Sequence, residues 1–434
     1  MKYFGTDGIR GKAYEFIDFD LAYSVGRSMD KLDTKMVIIA RDTRESGLMI
    51  SKAIKKGVID AGLKVLNVDI VATPILAHLS IVNDCFGIMV TASHNPYMDN
   101  GIKVFNRGRK TTLEEEQLIE EIIDRDYKLE KVKGGFEAAF YNPLPVYFDL
   151  FKDFITTTKL RIALDLANGA AITSAKYIFN QISEHLEFIG DAPNGYNINK
   201  FVGSTHVKTL AKHVVDFKCD LGFSFDGDGD RLIAVDNDGR IIDGDLMIYI
   251  IATYLKEKDL LDNNLVVLTK MSNLGIIDAL NQKGIEVIQT DVGDKYVVQA
   301  LTEKDAIIGG ENSGHIINRN LFISGDGVLN AAFLVKILEE KKSTFGDLLR
   351  DVNIYPDKLV NLEDIDKTIC QDQRLINLVN ELKEKLGTQG KLLVRPSGTE
   401  PLIRISAQAK TEELMNEVID TVILQIKEIS KERE

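Results

Sequence analysis

The chain has 434 residues, 44% of them apolar, and a formal net charge of -13 at neutral pH. That length suits roughly three domains with real cores, and the negative balance argues against nucleic acid or an acidic membrane surface as the main partner. Three cysteines, Cys85, Cys219 and Cys370, stand far apart with no CxxC pair, which fits a reducing compartment and no structural zinc. The chain opens with MKYFGTDGIRG, which has no apolar signal core, and its longest strongly apolar stretch, Leu246–Leu255, is too short to span a bilayer. A cytoplasmic protein is expected, in which any anionic substrate is drawn in by a local cluster of Arg, Lys and metal.

In chain order, the pattern predicts a strand at Met36–Ala40, a polar loop at Arg41–Ser46, a helix to about Ala61, a strand at Leu63–Val68, a helix after Thr73-Pro74 and a strand at Phe86–Val90. The same order recurs from Leu160 to Phe225 and again from Leu265 to Ile308. Strands alternating with helices of this length imply mostly parallel sheets covered on both faces. Each copy ends on a distinctive loop: TASHNP around Ser93, DGDGDR at Asp226–Arg231, and GGENSGH at Gly309–His315. After a polar linker at Asn353–Lys367 the chain changes character. A helix near Leu375–Leu386, a strand at Lys391–Val394, the loop RPSGTEP (Arg395–Pro401), a strand at Leu402–Ala409 and a closing helix make a small α+β domain. The closing helix carries Leu414, Met415, Val418, Ile419, Val422, Ile423 and Ile426 at helical period, a core stripe. The expected architecture is therefore three similar α/β domains plus a small α+β C-terminal domain, divided at 1–155, 156–252, 253–355 and 366–434, around a central cleft.

Ser93 follows a buried strand, at the sheet edge where open α/β folds bind ligands. A lone loop serine is ordinarily a turn residue; its company of three further motif loops sets this one apart. His94 beside it suggests a Ser-His base, but neighbours on an extended loop point apart, so a structural role is expected for His94. In DGDGDR, three carboxylates converge while glycines let the backbone bend, and a hard divalent cation is the natural counter-charge. An EF-hand is excluded, because Arg231 takes the place of its glycine and Asn237 that of its bidentate glutamate. Three ligands leave positions for water or a phosphate oxygen, which favours Mg²⁺ in a phosphoryl-transfer site. GGENSGH offers Glu311, Ser313 and a titratable His315. RPSGTEP offers a guanidinium fork, hydroxyls and an open backbone, chemistry for holding a phosphate without metal. Walker A, dinucleotide, GxSxG and HExxH patterns are missing.

Taken together, FGTDGIRG (Phe4–Gly11), TASHNP followed by DNGIKVF (Asp99–Phe105), NGYNIN and GSTH (Asn194–His206), DGDGDRLIAVD, VGDKYV (Val292–Val297), GGENSGHII, GDG (Gly325–Gly327) and VRPSGTEPLIR (Val394–Arg404) resemble the α-D-phosphohexomutase family along the whole chain. FGTDGIRG, the NIN…GSTH pair and GGENSGHII are similar to its branch acting on glucosamine phosphates; Val202 stands where many relatives have cysteine. The resemblance implies a resting phosphoserine at Ser93 that completes the shell of one Mg²⁺ per chain with Asp226, Asp228 and Asp230. It implies interconversion of glucosamine 6-phosphate and glucosamine 1-phosphate through a 1,6-bisphosphate, supplying UDP-N-acetylglucosamine synthesis. Glu311 and Ser313 would read sugar hydroxyls, and Arg395, Ser397, Gly398 and Thr399 would hold the phosphate that is not reacting. Arg10 would join the substrate site, Arg231 would sit near the transferring group, and Lys103 and His315 would share proton transfer. The implied partner is a small-molecule phosphosugar, with neither nucleic acid nor membrane; a homodimer is compatible with the sequence. Two rivals are a phosphomannomutase/phosphoglucomutase of the same family and a non-catalytic phosphosugar-binding protein. The second would be marked by loss of Ser93 or an aspartate, and all four are present.

Overall fold

The computed structural model describes residues 2–5, 7–124, 131–139, 141–396 and 402–433. The chain forms two compact units, Met1–Met271 with Glu286–Arg350, and Ser272–Ile285 with Asp351–Glu434.

The first unit contains three sheets built to one plan. In each, a central strand (Met36–Arg41, Ile162–Asp165, Leu265–Thr269) pairs in parallel on one side with the next strand in sequence (Lys64–Ile70, Leu186–Ile189, Glu286–Thr290). On its other side it pairs, again in parallel, with the strand that leads into a motif loop (Phe86–Val90, Leu221–Phe225, Ile308–Gly310). The chain then returns antiparallel to that strand, as Asp99–Asn106, Leu232–Asp236 and Ile316–Asn318. Each motif loop thus links a parallel strand to its antiparallel return, and ladder hydrogen bonds pin both loop ends. The expected parallel α/β pairings are present in all three sheets, and these returns add antiparallel pairs beside them. The βαβ rhythm of the sequence shows the parallel crossovers, whereas a return strand needs only a short loop and leaves no such rhythm. In the first sheet Gly8–Lys12 pairs antiparallel with Asp99–Asn106, which sets Arg10 opposite Gly101.

The strands Phe86–Val90 and Leu221–Phe225 are buried along their whole length, which is why they read as continuous apolar runs rather than alternating ones. The first sheet's core joins Val37, Ile39, Phe86, Ile88 and Val90 to Leu21, Val25, Ile50 and Ile54 of the covering helices. Several helices start at side-chain caps: Thr112 closes a capping box on Leu113–Ile123, Asp243 caps Gly244–Glu257 and Asp326 caps Gly327–Lys341. The apolar stretch Leu246–Leu255 lies within the second of these and is almost wholly buried. No helix among the described residues is long and apolar enough to cross a membrane.

The second unit has an antiparallel sheet with Leu402–Ala409 between Asp357–Glu363 and Gly390–Pro396. Helices Gln373–Leu386 and Glu412–Arg433 cover it, with Leu375, Leu382, Ile403, Ile405, Val418, Val422 and Ile426 in its core. The strand Asp357–Glu363 falls inside the expected linker at Asn353–Lys367, which is corrected accordingly. It is an edge strand with mostly exposed side chains, Leu359 at 60% among them, and only Val360 and Leu362 alternate inward, half-buried against the core, too short a pattern to announce it.

Candidate active site

Ser93 stands just beyond the Phe86–Val90 strand with a left-handed backbone, φ 52°. Its amide N–H donates to Thr91 Oγ1 at 2.9 Å, and its hydroxyl donates to Asp226 Oδ2 at 2.6 Å. The left-handed turn overturns the premise of an extended loop. His94 Nδ1 consequently lies 3.4 Å from Ser93 Oγ rather than pointing away. Burial, then the charges of Arg231 and Arg10, lower the His94 pKa to about 4, so its imidazole is neutral near pH 7.

Asp226, Asp228 and Asp230 are all buried, and they offer ligand oxygens within 4.8 Å of one another. The glycines between them allow close approach: a Cβ on Gly227 would lie 2.5 Å from the Ser93 carbonyl oxygen. Asp226 Oδ1 accepts the N–H groups of Gly229 and Arg231 at 3.0 and 3.2 Å. The Lys103 ammonium lies 2.8 Å from Asp228 Oδ2, 3.0 Å from Asp230 Oδ2 and 3.2 Å from Asp7 Oδ2. Burial works against that ammonium, but the three carboxylates overcome it and hold its pKa well above the ordinary lysine value. One lysine does not neutralise the cluster. Burial, then the charges of Asp230 and Asp228, push Asp226 well above the usual carboxylate range. Asp228 Oδ1 and Asp230 Oδ1 are buried without a hydrogen-bond partner. Excess carboxylate charge beside two orphaned oxygens fits a bound divalent cation.

His315, on the return side of the third motif loop, sits between two carboxylates, with Nδ1 3.8 Å from Asp230 Oδ1 and Nε2 3.6 Å from Asp294 Oδ2. Burial opposes its protonation, but Asp230 and Asp294 outweigh that and raise its pKa. Arg10 pairs with Asp7, and Arg231 is held firmly charged: burial is overcome by Asp226 and Asp230. Glu311 Oε1 accepts the Gly293 N–H at 3.1 Å, and Ser313 Oγ is buried without a partner. A cavity of about 180 Å³ is bounded by Asp7, Arg10, Asp230, Arg231, Glu311 and His315, with Val292, Gly293 and Asp294 completing it.

The first unit therefore brings together Arg10, Ser93, Lys103, Asp226, Asp228, Asp230, Arg231, Glu311 and His315, and Ser313 lies on the loop that carries Glu311 and His315. Arg395 belongs to the second unit, exposed near the end of the Gly390–Pro396 strand. Ser397, Gly398 and Thr399 lie outside the described residues. Three cluster members are absent from the sequence reading of the site: Asp7, Asp294 and Lys110, whose ammonium bridges Asp7 and Asp294. Asp7 and Asp294 lie within the motifs FGTDGIRG and VGDKYV, a usable signal; Lys110 carries none.

Four family models match the chain in order: phosphoglucomutase/phosphomannomutase alpha/beta/alpha domain I at residues 1–130, domain II at 145–239, domain III at 243–355 and the C-terminal domain at 356–425. Phosphoglucosamine mutases of Bacillus cytotoxicus and Streptococcus pneumoniae are each 40% identical to it, over 97% of this chain and 97% of theirs. A phosphoglucomutase/phosphomannomutase family protein from Burkholderia thailandensis shares the fold at a TM-score of 0.81 and 24% identity, covering 98% of this chain and 97% of that one. The Aspergillus fumigatus N-acetylphosphoglucosamine mutase, solved with GlcNAc-6P and magnesium, does so at 0.64 and 17%, covering 99% and 96%. Matched from end to end by the four domain models and by relatives of nearly its own length, the chain belongs to the phosphoglucomutase/phosphomannomutase family of isomerases.

Proposed function

We propose that this chain interconverts glucosamine 6-phosphate and glucosamine 1-phosphate, with Ser93 carrying the phosphoryl group between turnovers. The observation that supports this most directly is the Ser93 hydroxyl, 2.6 Å from Asp226 within a buried carboxylate triad that Lys103 only partly neutralises. Identity of 40% to phosphoglucosamine mutases supports the choice of sugar.

In the first half-reaction the free hydroxyl oxygen of the hexosamine phosphate bonds to phosphorus as the bond from phosphorus to Ser93 Oγ breaks. The hydroxyl proton passes to a protein base, and a 1,6-bisphosphate results. After the sugar turns over, Ser93 Oγ takes the other phosphoryl group and the departing sugar oxygen regains a proton. Lys103 and His315 are the groups assigned to hold and return it. Their carboxylate neighbours favour the charged forms, which suits the donating half. Asp226, Asp228, Asp230 and the Ser93 phosphate would hold one Mg²⁺ per chain, which when bound neutralises charge on the phosphoryl group. Arg231 and Arg10 add fixed positive charge beside the cavity. Glu311 and the orphaned Ser313 hydroxyl are assigned to the sugar hydroxyls; Arg395, Ser397, Gly398 and Thr399 to the distal phosphate.

Division of the chain at 1–155, 156–252, 253–355 and 366–434 gives each domain one of these loops. The cysteines are unpaired among the described residues, which suits a cytoplasmic setting. A coupled assay comparing glucosamine 1-phosphate, glucose 1-phosphate and mannose 1-phosphate tests the substrate. Preference for the amino sugar by roughly a hundredfold in kcat/KM is expected, and equal or better use of glucose or mannose 1-phosphate would reassign it. Ser93→Ala tests the carrier: the variant should fold and lose turnover by orders of magnitude.

A further inference from the structure

Arg44 is wholly buried and lies outside the residues that bound the cavity. Its guanidinium nevertheless organises the Ser93 loop. Nη2 donates to the carbonyl oxygens of Ser93 and Asn95 at 2.9 and 2.8 Å, and Nη1 donates to those of Pro96 and Asp99. Nε donates to Asp42 Oδ2 at 2.8 Å. One rigid fork of donors thus gathers four carbonyls from a seven-residue span, which a lysine's compact ammonium cannot reproduce.

The same network reaches Ser93 from its amide side. Asp42 Oδ2 also accepts the Thr91 hydroxyl at 2.7 Å, and Thr91 Oγ1 in turn accepts the Ser93 N–H at 2.9 Å. The Ser93 residue is therefore fixed at its N–H through Thr91 and at its carbonyl through Arg44. A left-handed serine persists where its surroundings impose that conformation. Asn199 adds a second grip, its Nδ2 donating to the Ser93 and Asn95 carbonyls at 2.9 and 3.1 Å.

We propose that Arg44 is the positioning residue of the Ser93 loop: its guanidinium holds the turn that aims Ser93 Oγ at Asp226. The inference rests on Ser93 being the phosphoryl carrier. A nucleophile displaced by about 1 Å can lose on the order of a hundredfold in rate, so fixing this loop is a kinetic function rather than only a structural one.

Arg44→Lys keeps a charge beside Asp42 but cannot reach all four carbonyls, and Thr91→Val keeps the shape while releasing the Ser93 N–H. Phosphate on Ser93 is measured by intact mass in the full chain, and kcat and KM are then determined per phosphorylated molecule at saturating Mg²⁺. Arg44→Lys should lower kcat by about tenfold or more and Thr91→Val by roughly severalfold, each with KM within about twofold of wild type because neither side chain touches substrate. Amides of the Ser93 loop should also exchange hydrogen faster, while the Leu221–Phe225 strand keeps its protection. Wild-type kcat in both variants, or KM rising while kcat holds, overturns the proposal. If Arg44→Lys does not fold, Thr91→Val decides by the same measure. Full activity in Ser93→Ala would instead remove the carrier reading itself, a separate and distinguishable failure.

Discussion

Gly325 and His315 share one space: a Cβ on Gly325 would lie 2.5 Å from His315 Nε2. His315 is itself only 5% exposed and sits between Asp230 and Asp294. A methyl group at 325 must therefore shift the imidazole or the loop that faces it. Gly325→Ala is expected to lower kcat by about tenfold, the order of a misplaced proton-transfer group. In a His315→Ala background the same change should cost little, because the clash has no ring to displace. A double-mutant cycle on kcat reads this directly. Equal, additive losses in both backgrounds would mean that Gly325 acts on something other than His315.

Metal removal should reveal the repulsion within the aspartate triad. Burial and the charges of Asp230 and Asp228 raise the Asp226 pKa, so ionised Asp226 opposes folding when no cation is bound. Asp226→Asn removes that charge, and its side-chain oxygen can still accept the Gly229 and Arg231 amides. In chelator the variant should melt higher than wild type. With added Mg²⁺ wild type should gain stability by binding linkage, and the variant should gain much less while losing most of its turnover. A variant less stable than wild type in chelator would show that Asp226 is not repelled in the metal-free protein.

Which features were legible in the sequence follows from how each residue is constrained. Phe86–Val90 and Leu402–Ala409 match their predicted bounds to the residue, because apolar or alternating runs bounded by turn residues have little alternative. The edge strand Asp357–Glu363 is hidden by its exposed side chains. The aspartate triad is legible because its spacing is itself the chemistry. Lys110 is not, since an isolated lysine becomes meaningful only when folding sets it between Asp7 and Asp294. His94 shows the limit of local geometry: one positive φ at Ser93 turns a residue expected to point away into a neighbour 3.4 Å from the hydroxyl.

Asp326 should give the protein a pH-dependent stability. Tyr147 Oη donates to both of its carboxylate oxygens at 2.9 and 2.8 Å, and the Leu329 N–H donates to Oδ1 at 3.0 Å. Burial nevertheless pushes its carboxyl up to about 7, against those hydrogen bonds. A carboxyl whose folded pKa exceeds its unfolded one favours folding when protonated. That contribution is full below about pH 4 and is lost as pH rises through about 7. Between pH 5 and 8, wild type should therefore lose stability relative to Asp326→Asn, which holds no titrating proton there. A difference in melting temperature that stays flat across this range would show that Asp326 is already ionised in the folded protein at pH 5.

Arg395 stands directly opposite Arg404 in the antiparallel ladder of the C-terminal sheet. Opposed residues share a face, and like charges so placed destabilise a sheet by roughly 0.2–1 kcal/mol. Assignment of this strand end to the distal phosphate makes Arg395 the group that holds an anion there during turnover. A charge-assisted contact from arginine to phosphate contributes about 1.5–3 kcal/mol. Arg395→Ala should accordingly raise KM about tenfold or more, while leaving thermal stability unchanged or slightly higher. The Ser93 phosphate and the Mg²⁺ requirement should persist, because the aspartates and Lys103 belong to the other unit. Weaker hold on the distal phosphate should also let the bisphosphate escape before it returns a phosphoryl group, stranding Ser93 unphosphorylated. The variant should then need added hexosamine 1,6-bisphosphate for sustained turnover, seen as progress curves that stall without it. Wild-type KM and linear progress curves without bisphosphate would mean that Arg395 does not hold the substrate.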